Sequence, residues 1–116
     1  MSAWLRQVSE NAEAPERVLA LFDALEQWFA EPAFKGCALV NGAVEARGVG
    51  AAAREIAARH LDRHLDLLRE LTGDETIARQ LLLLVEGATT VAFVRGDPTA
   101  ARDARKVAET LLQPIS

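Results

Sequence analysis

Residues 75–95, ETIARQLLLLVEGATTVAFVR, contain no proline and are bracketed by Gly73-Asp74 on one side and Gly96-Asp97-Pro98 on the other. Asp74 is suited to cap a helix start and Glu75 to sit in its first turn, where the helix dipole favours a negative charge. Gly96 is a natural stop, so one helix is predicted over 75–95. Its centre, LLLLVEGATTVAFV over 81–94, is apolar on every side and not along a single stripe. A helix apolar all round must be covered all round, and a chain of 116 residues builds only one core with which to cover it. The run includes Glu86 and is shorter than the ~20 residues a membrane span needs, so it reads as a buried helix and not as a membrane anchor.

The remaining residues carry the same helical punctuation. Residues 3–9 read as a short helix, or the tail of a longer one, with Trp4, Leu5 and Val8 on one side, and 9–15 is linker-like. Pro15 suits the start of a helix over about 16–30, where Val18, Leu21, Phe22, Leu25, Trp28 and Phe29 share a face until Glu31-Pro32 ends it. A segment over about 36–46 puts Cys37, Val40, Asn41 and Val44 on one face before Gly48 and Gly50. Over 51–72, Ala57, Leu61, His64, Leu68 and Leu71 form a stripe, with Arg54, Arg59, Asp62 and Arg69 away from it. The last helix starts at Pro98, with Asp97 as cap, and turns Ala101, Ala104, Ala108, Leu111 and Ile115 inward. No Asn-Gly or Asp-Gly turn joins alternating apolar runs, since Asn41-Gly42 lies inside a helical pattern. The expected fold is all-α: a single domain over 1–116, an antiparallel bundle of five to six helices. Residues 1–14 form its leading tail and linker, and 75–113 a closing helix pair.

Charge and composition narrow the function classes. The net charge of −4 comes with arginines spread over several segments, so this chain by itself is not expected to bind nucleic acid. Cys37 is the single cysteine and cannot form an internal disulfide, and MSAWLRQVSE lacks the pattern of a signal peptide; a cytoplasmic location is the default expectation. No nucleophile–base motif, phosphate-binding glycine loop or paired-acid arrangement is visible, so neither an enzyme nor a cofactor is expected.

A few polar residues stand out on apolar faces. Asn41 can donate and accept, and either orients a ligand or is satisfied by a nearby backbone carbonyl. An unpaired Glu86 carboxylate would be costly in its surroundings, so it needs an arginine from another helix, a cationic ligand or water at a subunit edge. His60 and His64 lie one turn apart, a spacing that can place two imidazoles on one metal. Leu61 stands where an HExxH motif has its Glu and no cysteine pair assists, so no metal site is expected, and His64 reads as a pocket or core histidine. Cys37 after Gly36 is either a small buried filler or a thiol near a helix start. Phe22, Trp28 and Phe29 line either the core or a pocket.

The last two helices suggest self-association. Gly87, Ala88 and Ala92 would let another helix approach closely, and the alanines of the last helix offer grooves for its ridges. A two-fold interface of four helices, two from each subunit, is expected; the competing reading is that residues 75–95 form the central helix of a monomer.

Taken in order, LFDALEQWFA, FKGCALVNGAVE, a long helix ending LLRELTGD, and ARQLLLLVEGATTVAFVRGDPTAARDARKVAETLL resemble the C-terminal ligand-binding and dimerisation domain of TetR/AcrR-family transcriptional regulators. The resemblance spans about 17–112. It implies an effector pocket between the middle helices and a homodimer built from 75–95 and 98–113. The candidate pocket residues are then Phe22, Leu25, Phe29, Cys37, Val40, Asn41, His64, Leu68 and Glu86. The candidate interface residues are Leu84, Ala88, Val91, Ala92, Ala101, Ala104, Ala108 and Leu111. The implied partners are a small apolar effector and a second copy, with no membrane. DNA would be reached only through a helix-turn-helix that nothing in these residues matches; residues 1–10 would correspond to the end of the helix that joins it. An alternative is a stand-alone helical interaction protein that pairs with itself or with intact regulators and binds no DNA of its own.

Overall fold

The structure, a computed structural model, describes residues 14–34 and 51–113. These form four α-helices and no strand: α1 (Ala14–Phe29), α2 (Ala51–Thr72), α3 (Glu75–Arg95) and α4 (Ala100–Leu112). The helices expected at 3–9 and 36–46, with Cys37, Val40 and Asn41 in the second, lie outside the described residues, as does Ile115.

In α1, Pro15 occupies the first turn, where its missing N–H has no helical partner to lose. Val18, Leu21, Phe22, Leu25 and Phe29 are buried in the core, as their three- and four-residue spacing requires. The chain leaves the helix through tightening hydrogen bonds, Glu31 N–H to Trp28 O at 3.1 Å and Phe34 N–H to Glu31 O at 3.0 Å.

The α2–α3 junction is built as its residues dictate. Gly73, at φ 64°, takes the left-handed conformation that ends α2, donating its N–H to Arg69 O at 2.8 Å. One residue on, the Asp74 carboxylate accepts from Ile77 N–H at 2.9 Å and caps α3. Arg69 forks onto both oxygens of Glu75, at 2.6 and 2.8 Å, and also reaches Asp66 at 2.9 Å. These groups are exposed, so the clamp orients the turn more than it stabilises the fold. It holds the Glu75 carboxyl below its ordinary range, the Arg69 hydrogen bond being the main cause.

The expected start of the last helix is displaced. Helix α4 begins at Ala100, because residues 97–99 form a separate tight turn. The Asp97 carboxylate accepts from the Thr99 hydroxyl at 2.6 Å and from Thr99 N–H at 3.0 Å. Its side chain thus caps that turn and not the helix, and these bonds lower its pKa.

Asp23 pairs with Arg105 and Glu26 with Arg102, so α1 and α4 run antiparallel. Arg69 with Glu75 and His64 with Glu86 set the same relation between α2 and α3. The core between them mixes large and small residues. Phe22, Leu25, Leu68 and Leu81 fill its centre, while the fully buried residues of α4 are Ala100, Ala101, Ala104 and Ala108, which let it lie close to its neighbours, with Leu111 and Leu112 packed against the core at its end. On α2 the buried row is His64, Leu67, Leu68 and Leu71. Leu61, expected on that stripe, is 37% exposed, and Leu67 takes up the inward role.

Among the described residues α3 is the one helix long and apolar enough, by length and composition, to cross a membrane. Here Ala78, Leu81, Val85, Ala88, Thr89 and Ala92 form an inner row facing the bundle. Thr89 satisfies its hydroxyl on Val85 O at 2.8 Å.

Candidate functional site

Two features distinguish the bundle from a plain core: a polar cluster between α2 and α3, and an uncovered apolar face on α3 and α4. The cluster forms where His60 and His64, one turn apart on α2, meet the middle of α3. His64 Nδ1 lies 2.7 Å from Glu86 Oε1 and donates to it. The rings of His60 and His64 stand 4.2 Å apart, centroid to centroid. The partner of Glu86 is therefore a histidine and none of the three candidates that its sequence neighbourhood suggests.

His64 is buried, and its second ring nitrogen, Nε2, has no hydrogen-bond partner among the described residues. With Nδ1 donating, the neutral ring leaves Nε2 a bare acceptor, while protonation would leave a bare donor; either costs about 1–3 kcal/mol. The pKa of His60 is lowered, chiefly by burial, then by His64 and Arg63, with Glu86 partly opposing.

Glu86→Ala strips His64 of its acceptor and leaves both ring nitrogens unsatisfied. The expected loss is about 1–3 kcal/mol in urea denaturation, with Glu86→Gln costing less because an acceptor oxygen remains.

Of the other candidate pocket residues, Phe22, Leu25, Phe29 and Leu68 are buried within the hydrophobic core. Phe29 packs in an aromatic group with Trp28 and Phe34, its centroid 5.6 and 5.0 Å from theirs, and Phe93 of α3 closes on Phe34 at 6.3 Å. The structure thus brings His64 and Glu86 together, adds His60, and places the aliphatic and aromatic candidates in the hydrophobic core.

The second feature is an open groove of about 340 Å³ along α3 and α4. Leu83, Leu84, Gly87, Ala88 and Val91 form one wall; Ala100, Asp103, Ala104 and Val107 form the other. Leu83 is 73% exposed, Val91 44% and Val107 49%, and Val94 further along α3 is 73% exposed. This is an apolar row, on a helix that also supplies core, that the other described residues leave exposed.

The candidate interface residues divide accordingly. Leu84, Ala88, Val91 and Ala104 line the groove. Ala92, Ala101 and Ala108 are packed inside the chain's own core. Leu111 lies elsewhere, with Leu112 in a separate cleft of about 260 Å³ beside Pro15, Leu71 and Ile77. Gly87, expected to permit close approach of another helix, also lies in the groove, whereas Leu83 and Val107 are additions that the sequence pattern did not single out as interface residues. Helical phase could have found Leu83, since Leu83, Gly87 and Val91 follow one another at four-residue steps.

The fold and these two features define a helical bundle with a buried imidazole–carboxylate cluster and an unpaired two-helix face. Comparison of the chain with protein-family models, with curated proteins and with solved structures finds no match.

Proposed function

We propose that the chain is a sensing and dimerisation domain of the TetR/AcrR type, which pairs with a second copy through α3 and α4 and binds a small apolar effector among its helices. The observation that carries the reading is Gly87. A glycine in a helix interior costs about 0.5–1 kcal/mol relative to alanine, yet a Cβ added at Gly87 meets nothing within 4 Å among the described residues. None of the described residues calls for the glycine. It lines the α3 wall of the apolar groove, where a helix from a second copy could approach closely.

In this reading effector binding shifts a dimer between two arrangements, which requires different affinity for each. The helix order and the Gly-Asp-Pro turn before the last helix support the resemblance, as does the all-α architecture.

Gly87→Ala separates the dimer from a monomer with a merely exposed face. In a monomer it only stabilises, by about 0.5–1 kcal/mol. In the proposed dimer it also weakens association, because the added methyl holds the two helices apart. Sedimentation equilibrium of wild type and variant over a dilution series reads the difference. A single-chain mass for the wild type at micromolar concentration would remove the proposal. Native mass spectrometry of the same samples tests the effector part, since a dimer carrying a small additional mass identifies what it holds.

A further inference from the structure

We propose that His60, His64 and Glu86 form a binding site for a divalent transition-metal ion of the zinc type, held between α2 and α3. One ligand atom from each of the three residues lies within 4.8 Å of the others. Bonds of roughly 2.0–2.2 Å to a tetrahedral zinc put its ligands about 3.3–3.6 Å apart, so the widest-spaced pair must close by up to about 1.5 Å while His64 Nδ1 and Glu86 Oε1, now 2.7 Å apart, must open by rather less. Rotation of the side chains alone can supply that.

The donor set is what such an ion takes. Two imidazole nitrogens and one carboxylate oxygen suit zinc and its first-row neighbours, whereas calcium and magnesium call for oxygen ligands throughout. Three protein ligands leave a fourth position for water or another molecule, the pattern of zinc sites that bind or act on something further.

Two observations single out the cluster from an ordinary buried ion pair. A hydrogen-bonded His64–Glu86 pair is complete with one imidazole, yet a second stands one turn away with its ring 4.2 Å from the first. In addition, Nε2 of the buried His64 has no hydrogen-bond partner among the described residues, an uncompensated polar atom on a ring that belongs to the cluster. As the ring stands only Nε2 has an unused lone pair, while ligation through Nδ1, the nitrogen that faces Glu86, requires its proton to be released. The proton now shared between His64 Nδ1 and Glu86 leaves when that nitrogen becomes a ligand, so loading releases protons in proportion to the metal bound. The inference rests on the α2–α3 contact alone and is independent of the pairing proposed for the α3–α4 face.

The test uses the full chain without an affinity tag, stripped with a chelator and titrated with Zn²⁺ in a calorimeter; Co²⁺ is then added in its place and its absorption spectrum recorded. One Zn²⁺ per chain is expected, with a raised melting temperature and the intense visible bands of four-coordinate Co²⁺. His60 is only half-buried, so His60→Ala should fold normally by circular dichroism while weakening Zn²⁺ binding at least about a hundredfold and abolishing the Co²⁺ bands. Glu86→Gln, which keeps the shape of the side chain, should weaken binding in the same direction. Absence of saturable Zn²⁺ binding by the folded wild type would overturn the proposal. So would Zn²⁺ affinity and Co²⁺ bands that are unchanged in folded His60→Ala, since the ion would then be held elsewhere.

Discussion

Phe22→Ala is expected to cost about 3–5 kcal/mol of folding stability, out of the roughly 5–15 kcal/mol that a domain of this kind has in total. Phe22 is 1% exposed and faces the centre of the bundle from α1. Truncation forfeits the transfer energy of a full aromatic ring and leaves a cavity that rigid helices close only in part. The residue could equally be read from the sequence as a pocket wall, and the two roles predict different results. A pocket wall loses little stability in the absence of ligand, because its ring already borders empty space. A core residue loses the full amount with no ligand present. Urea denaturation of the variant should show a midpoint far below that of the wild type with the slope preserved. A loss under about 1 kcal/mol would return Phe22 to the pocket.

The paired substitution Leu83→Glu with Val107→Glu should convert a dimer to single chains while leaving each chain folded. Both residues lie on the walls of the α3–α4 groove and contribute little to the chain's own core. Covering each apolar side chain across an interface is worth about 1.5–3 kcal/mol. In a two-fold pair every substitution counts twice, and the introduced carboxylates would be desolvated together. Association should therefore weaken by at least about a hundredfold, measured as the shift of the sedimentation midpoint with concentration. Helicity and the urea midpoint should stay within about 0.5 kcal/mol of wild type, as for other exposed sites. A variant that remains dimeric would place the interface on another surface.

Much of the backbone could be read from local chemistry. Asp74 and Gly96 bound α3 where their capping preferences put them, and α2 ends at the residue before Gly73. In each case the signal is the interaction of a side chain, or of a missing Cβ, with the backbone a few positions away. The start of α4 was less legible because Asp97 had two local partners to choose between. Its carboxylate serves the Thr99 turn, and the helix begins only afterwards.

Burial within a helix was legible only in part. Spacing placed Val18, Leu21, Phe22, Leu25, Trp28 and Phe29 on one inward face, and the structure buries all but Trp28, which is only partly covered. Spacing also placed Leu61 inward, though what matters there is how far along α2 its neighbours extend. The alanines of the last two helices show the same division. Small size is visible in sequence, but it suits a helix packed against its own chain as well as one that meets a partner. Ala92, Ala101 and Ala108 took the first role, while Ala88 and Ala104 reach the edge of the open groove.

The sequence by itself determined that this protein is helical, where three of its helices stop or start, and that 75–95 is too apolar to be served by one stripe of contacts. These are properties of hydrogen bonds and side-chain phases that act within a few residues. Only the tertiary structure decided that Glu86 meets His64 across 22 positions of chain, that His60 stands beside them, and which side of α3 remains uncovered. Those outcomes depend on the rotation of one helix against another, which is set by the summed packing of side chains from all four and is written in no single segment.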